Sequence, residues 1–233
     1  MKGSASGGTI ASMLNLVKEA TADPSLRKML ANPYALCQPE HPFKARQFNL
    51  KAAKHDEDID AWIAPFVMAA INTRIVHRSN ALLDNEYGEN FLYDEAMVMG
   101  KDTKGSINAT LMSLGLGGFM VAAALPPTRW FMEKLVLPKP GEGPSPKAQK
   151  EGFFDLRFVG KTEQGQEIRA KVTGDRDPGY GSTAKMLAQA AVCLAKDISK
   201  ENKSGGFWTP ASVFGDTLIS RLEQKAGLTF SED

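Results

Sequence analysis

The chain predicts an α+β fold, a mixed or antiparallel sheet covered by helices. A hairpin of alternating apolar residues at 154–172 is flanked on both sides by segments with helical apolar spacing. The order of these segments lacks the regular strand–helix–strand alternation of a parallel sheet. With 233 residues the chain is long enough to bury a sizeable core. Its 28 Lys and Arg against 27 Asp and Glu leave a net charge of +1. That balance offers no field for phosphate backbones and argues against nucleic-acid binding, and a chain 42% hydrophobic and 24% charged is neither disordered nor fibrous. Cys37 and Cys193 make neither a zinc pattern nor a disulfide framework, so a reducing cytoplasm is the expected compartment.

Taken in order, Thr9 follows a glycine-rich lead and is placed to cap a helix on which Ile10, Met13, Leu14 and Val17 recur. Asp23 and Pro24 open a second, short helix bearing Leu26, Met29 and Leu30, which Asn32-Pro33 stops. From Gln38 to Asp60 the chain is polar, with at most one strand near Phe48 to Ala53. Pro65 is expected to begin the longest regular helix, running to about Leu83. Phe66, Ala69, Ala70, Thr73, Val76 and Asn80 mark its inner face, which Val67, Ile71 and Ile75 widen. Tyr87-Gly88 turns into a strand from Phe91 to Met99, whose face includes Tyr93, Glu95 and Met97. Residues 138 to 152, with Pro138, Pro140, Pro144 and Pro146, read as loop. Phe154, Leu156 and Phe158 then pair across a turn at Gly160–Gly165 with Ile168, Ala170 and Val172. One closing helix follows Gly179-Tyr180-Gly181 to about Lys196; another runs from the cap Thr209-Pro210 to Gly227.

No catalytic motif stands alone. The nearest glycine fingerprint, Gly115-Leu116-Gly117-Gly118, lies in an apolar stretch with Met120 at the third glycine position and no strand before it. His41, His55 and His77 are too scattered for a metal site, and no serine sits in a nucleophile elbow.

Three features remain. Arg74 and Arg78, one turn apart, would repel unless an anion lay between them; Glu95 is the candidate, as a structural ion pair ahead of a ligand-binding pair. Gly179, Tyr180, Gly181, Ser182 and Thr183 place amides at a helix N-terminus, suited to an anionic group, although Ser182 or Thr183 acting as a plain cap is the simpler reading. Gly105 to Thr128 is uncharged, and its glycines, polar residues and double proline favour a buried helix or pocket wall over a membrane-contacting hairpin.

Several stretches together carry a resemblance. They are Ser6-Gly7-Gly8-Thr9 with Ala11 to Asn15; Asp23-Pro24; Asn32 to Leu36; Pro65 to Met68; and Asn72-Thr73-Arg74 with Arg78 to Leu82. Phe91 to Glu95, Pro140 to Ser145, Asp177 to Leu187, and Thr209 to Asp216 complete the set. In this order they resemble the carboxy-terminal portion of saccharopine dehydrogenase-like oxidoreductases, in the branch of the trans-acting enoyl reductases. The resemblance implies a Rossmann domain carrying NAD or NADP and an α+β domain carrying the substrate. On it, residues 1–175 are expected to be the substrate domain, and 176–233 helices that pack on a nucleotide-binding domain absent from this chain. Family members place their nucleotide-binding half before the Ser-Gly-Gly-Thr motif, so the chain is expected to be the substrate-side portion. It also implies hydride transfer to or from a small substrate, and the apolar segment from Ile107 to Leu125 points to a lipid-like one. Arg74, Arg78, Tyr93 and Glu95 would line the substrate site, Gly179–Thr183 would edge the cofactor cleft, and no metal takes part. Val213, Leu218 and Leu222 are expected to form a partner-seeking surface. The alternative is a non-catalytic lipid- or membrane-associating module, with peripheral membrane contact.

Overall fold

The computed structural model describes residues 2–3, 7–135, 137, 141–201 and 203–232. Ser6, Pro138 and Pro140, expected in a helix lead and a loop, lie outside these residues. The chain divides into two compact units, Met13–Val136 and Met1–Ser12 with Leu137–Asp233. The hairpin and the closing helices fall together in the second of these.

Helix α1 (Gly7–Ala22) starts two residues before the expected cap, so Thr9 lies inside it. The Gly7 amide instead donates to the Glu142 carbonyl at 2.9 Å. Helix α2 (Pro24–Ala31) is capped as expected, the Asp23 carboxylate accepting from Ser25 N at 2.7 Å and Leu26 N at 3.3 Å.

The strand expected at 48–53 is not formed. Strand β1 (Lys54–Asp56) comes just after it and pairs antiparallel with β2 (Ala61–Pro65). Pro65 therefore ends a strand and does not begin a helix. Opposite Ala96 at the strand terminus, its fixed φ suits extended backbone and its missing N–H costs one ladder bond at most.

Helix α3 (Ala69–Leu82) follows. It buries Thr73, His77 and Asn80 and leaves Val67 before it, and Ile71 and Ile75 on it, exposed, the reverse of the expected widening. The inner side is held by polar contacts: Asn80 donates to the Gly88 carbonyl at 2.9 Å and accepts from Tyr87 N at 2.8 Å.

Strand β3 (Ala96–Gly100) is shorter than expected and completes the sheet β1-β2-β3. Residues 91–95 run beside the Gln47 side chain, which accepts from Tyr93 N at 3.1 Å and donates to the Phe91 carbonyl at 3.0 Å. One amide side chain thus replaces a strand partner. Helix α4 (Thr103–Ala124), capped by Asp102, packs its start on β2 and β3 and leads into α5 (Pro126–Leu135). The expectation that the uncharged run is buried is not met. Only Gly105, Ala109 and Ala123 of α4 are buried.

In the other unit, the segment expected to be loop contains a short helix α6 (Pro146–Glu151), capped by Ser145. Strands β4 (Phe154–Lys161) and β5 (Glu167–Gly174) form the expected hairpin with Phe154 opposite Gly174 and Leu156 opposite Val172. Helix α7 (Gly181–Lys196) is as expected. The last helix is two, α8 (Pro210–Phe214) and α9 (Asp216–Ala226), because Gly215 takes φ of 50° and turns the chain.

Gly227, at φ 72°, ends α9 in the left-handed conformation and sends the chain into strand β6 (Leu228–Glu232), which pairs with β5. That strand was not expected. Its arrival explains why Leu222 and Leu218 are not a partner-seeking surface: Leu222 packs with Phe154, Ala226 and Leu228 in a core that Leu218, Val172 and Phe230 extend. The class is α+β, with two separate antiparallel three-stranded sheets in place of one.

Candidate functional site

The expected site residues in unit Met13–Val136 come together only in part. Residues 91–95 follow the turn after Gly88 and lead into β3; Tyr93 and Glu95 meet side chain to side chain, and α3 places Asn72 against them. Glu95 accepts from Asn72 Nδ2 at 2.8 Å and from the Tyr93 hydroxyl at 2.8 Å. Burial first, then the hydrogen bond to Glu95, hold the Tyr93 hydroxyl well above its ordinary range. Tyr93 is thus a firm neutral donor and a poor source of protons, suited to fixing the orientation of a polar group.

Arg74 and Arg78 do something else. The Arg74 guanidinium donates to the Asn32 carbonyl at 3.2 Å and to the carbonyls of Leu30 and Ala70, and Arg78 donates to the Leu36 carbonyl at 2.8 Å. Burial lowers the Arg74 pKa, opposing its charge. The expected Arg74–Glu95 pair is replaced by Asn72 and Tyr93 on the carboxylate and by backbone carbonyls on the arginine. Carbonyls freed at the end of α2 need donors, which Arg74 supplies, and Arg78, one turn on, serves Leu36 in the segment beyond.

Beneath this cluster lies an aromatic group that sequence spacing hid. Tyr34 meets His77 edge-on at 4.8 Å between ring centres, and also His41 at 5.4 Å and Phe43 at 5.5 Å. Phe91 reaches both His77 and Tyr93. The Tyr34 hydroxyl donates to the Ala45 carbonyl at 2.6 Å and accepts from Gln47 at 2.7 Å. Among the described residues neither ring nitrogen of the buried His77 has a hydrogen-bond partner, and burial lowers its pKa. His41 and His77, far apart in sequence, meet the same tyrosine; the one available signal was the density of aromatic and histidine residues over 34–43 and 77–93. Among the described residues no group of three His, Cys, Asp or Glu is arranged to hold a metal.

In the other unit, Gly179–Thr183 does precede a helix, but its amides are occupied. The buried Asp177 carboxylate accepts from Gly179 N at 3.0 Å, Tyr180 N at 2.9 Å and Gly181 N at 2.7 Å. Ser182 and Thr183 are not the cap; their hydroxyls donate to the carbonyls of Arg176 and Pro178. Asp177 supplies the negative charge that the helix terminus attracts. A dinucleotide needs free amides at such a terminus beside a parallel strand. Both sheets here are antiparallel, so the described residues do not fit that group.

No protein-family model matches the chain, and no solved structure matches it significantly. Curated relatives do. A Mycobacterium tuberculosis protein provisionally named a trans-acting enoyl reductase is 37% identical over 230 residues, 95% of this chain and 55% of that protein. A trans-acting enoyl reductase of Mycobacterium bovis is 36% identical over 93% of this chain and 54% of its own length. That of Mycobacterium ulcerans is 32% identical over 94% and 54%. The chain is therefore similar along nearly all its length to trans-acting enoyl reductases, and it spans about half the length of these relatives.

Proposed function

We propose that this chain is the substrate-side part of an oxidoreductase that reduces an enoyl group, with NADH or NADPH held by residues other than those described. The carrying observation is the similarity to proteins named enoyl reductases, 36–37% over 93–95% of the chain. The Asp177-filled helix terminus fits this division of labour, because the amides of Gly179, Tyr180 and Gly181 are already taken by a carboxylate. Tyr93, Glu95 and Asn72 would orient the polar end of the substrate. Arg74 and Arg78 would act as positioning residues, fixing segment 30–36 against α3. The segment 179–183 would serve as a rigid edge.

The test is a chimera in which this chain replaces the matching half of the Mycobacterium bovis relative. Expected is NADPH-dependent reduction of an enoyl thioester, with Tyr93→Phe raising KM more than it lowers kcat. A chimera that folds and binds NADPH yet turns over no enoyl thioester would refute the reading.

A further inference from the structure

We propose that the hairpin of α4 and α5 inserts into one leaflet of a lipid membrane, independently of the reductase reading. The glycines, polar residues and double proline favoured a buried α4, but only the line of Gly105, Ala109 and Ala123 is buried. Ile107, Leu111, Leu114 and Val121 lie together on the opposite side and are exposed. A helix whose apolar residues are not confined to one face belongs in a core or in lipid, and no core covers this side among the described residues.

Several polar groups of the hairpin are paired within it, as hydrocarbon would require. Thr110 and Ser113 donate back to the carbonyls of Ser106 and Ala109 at 2.9 and 2.8 Å. Where α4 ends, the Thr128 hydroxyl bonds the carbonyls of Ala122 at 2.6 Å and Leu125 at 3.1 Å. Arg129 reaches the Ala123 carbonyl at 3.4 Å, and its amide takes the Leu125 carbonyl at 2.9 Å. Carbonyls at a helix end in water need no such partners, whereas in lipid each unmet one is costly.

Charge and aromatic placement fit a lipid interface. No charge occurs from Gly105 to Thr128, and α5 then carries Arg129, Glu133 and Lys134, a net charge of +1, beside the exposed Trp130, Phe131 and Leu135. Trp and long basic side chains prefer the headgroup level, where the base reaches anionic lipid.

Depth follows from length. By composition α4 is long and apolar enough to cross a membrane. Its first turns, however, are fixed to the sheet through Gly105 and Ala109. Residues 110–124 then extend about 22 Å at the helical rise. That is short of the about 30 Å of a bilayer's hydrocarbon core and longer than the roughly 15 Å of half of it, so the hairpin lies tilted in one leaflet and does not span.

The experiment is flotation of the full chain with phosphatidylcholine–phosphatidylglycerol vesicles, beside vesicles of phosphatidylcholine brominated in the acyl chains. The variants are Leu114→Glu with Val121→Glu, both at exposed positions, and Trp130→Phe. Expected are flotation of the wild type and quenching of its fluorescence by brominated lipid, with most of the quenching lost in Trp130→Phe. The double variant, with an unchanged circular dichroism spectrum, should bind lipid roughly tenfold or more weakly. Wild-type protein that stays at the bottom of the gradient overturns the proposal. So does a double variant that floats as well as wild type. Self-association that the double variant abolishes, without flotation of the wild type, assigns the surface to a second copy and equally overturns it.

Discussion

Asp177→Ala is the most telling single change in the unit that holds α7. The carboxylate is fully buried and serves three successive amides at 2.7–3.0 Å. Each bond from a charged acceptor is worth about 1.5–3 kcal/mol in favourable cases, so a naive sum exceeds 4 kcal/mol. Gly179 and Tyr180 are exposed, however, and water can replace part of what is lost. That brings the net cost to about 2–3 kcal/mol, at or just above the upper range for losing a helix cap. For a chain of this size the loss corresponds to a fall in melting temperature of about 4–12 °C. Urea unfolding, combined with amide exchange at 181–184, measures it in the right unit. Asp177→Asn, which keeps one acceptor oxygen, should lie between the two. The variant should also gain what the wild type lacks: millimolar sulfate should stabilise Asp177→Ala by filling the vacated terminus and leave the wild type unmoved. An alanine variant within about 1 °C of wild type, or a wild type stabilised by pyrophosphate in a way that Asp177→Ala abolishes, would refute the assignment of these amides to Asp177.

Other expectations concern the unit Met13–Val136. Burial lowers the His77 pKa below its ordinary 6.5, so the unfolded chain takes up the proton first. Stability should therefore fall as pH drops below about 6.5, and His77→Phe should flatten the urea midpoint between pH 7.5 and 5.5; an unchanged slope would count against it. Gly105→Ala ordinarily strengthens a helix by about 1 kcal/mol. Here the added carbon would lie 2.4 Å from the Gly100 carbonyl oxygen, so the sign should reverse, to a loss of about 1–3 kcal/mol by thermal melting. Arg74→Met should cost about 1–3 kcal/mol by leaving the carbonyls of Leu30 and Asn32 unpaired, and Glu95→Gln should cost the same in that background as in wild type, because the two side chains have separate partners. Coupling between the two substitutions would restore the ion pair that the structure replaces.

What the sequence disclosed were the elements whose signals are local. Asp23-Pro24 and Thr209-Pro210 cap helices through side chains two or three residues away, and the alternation from Phe154 to Val172 sets both strands of the hairpin. Elements specified by distant partners were hidden. Strand β2 ends in a proline that reads as a helix start, and β6 exists because Gly227 turns it onto β5. Thr73 and Asn80 of α3 are buried as expected, but the rest of its inner side was misjudged because it is chosen by Tyr34, Phe43 and Phe91, rings that reach His77 from outside the helix. The same holds for the site. Tyr93 and Glu95 share a side in sequence, and they do meet. Asn72 was unforeseen as their partner, and Asp177, the true occupant of the helix terminus, stood only two residues before the glycines it serves.

The register of β6 on β5 has a bearing on synthesis. Strand β5 pairs on one side with β4 as soon as residue 174 is made, while its other side waits for Leu228 to Glu232. Through more than fifty further residues of translation the nascent hairpin carries an open backbone edge, together with exposed Leu156, Phe158 and Ile168. Truncation or ribosomal stalling before residue 228 would leave that edge permanently unsealed. Shortened products of this chain should accordingly aggregate through strand addition, and a supplied peptide of sequence 226–232 should suppress that aggregation in trans.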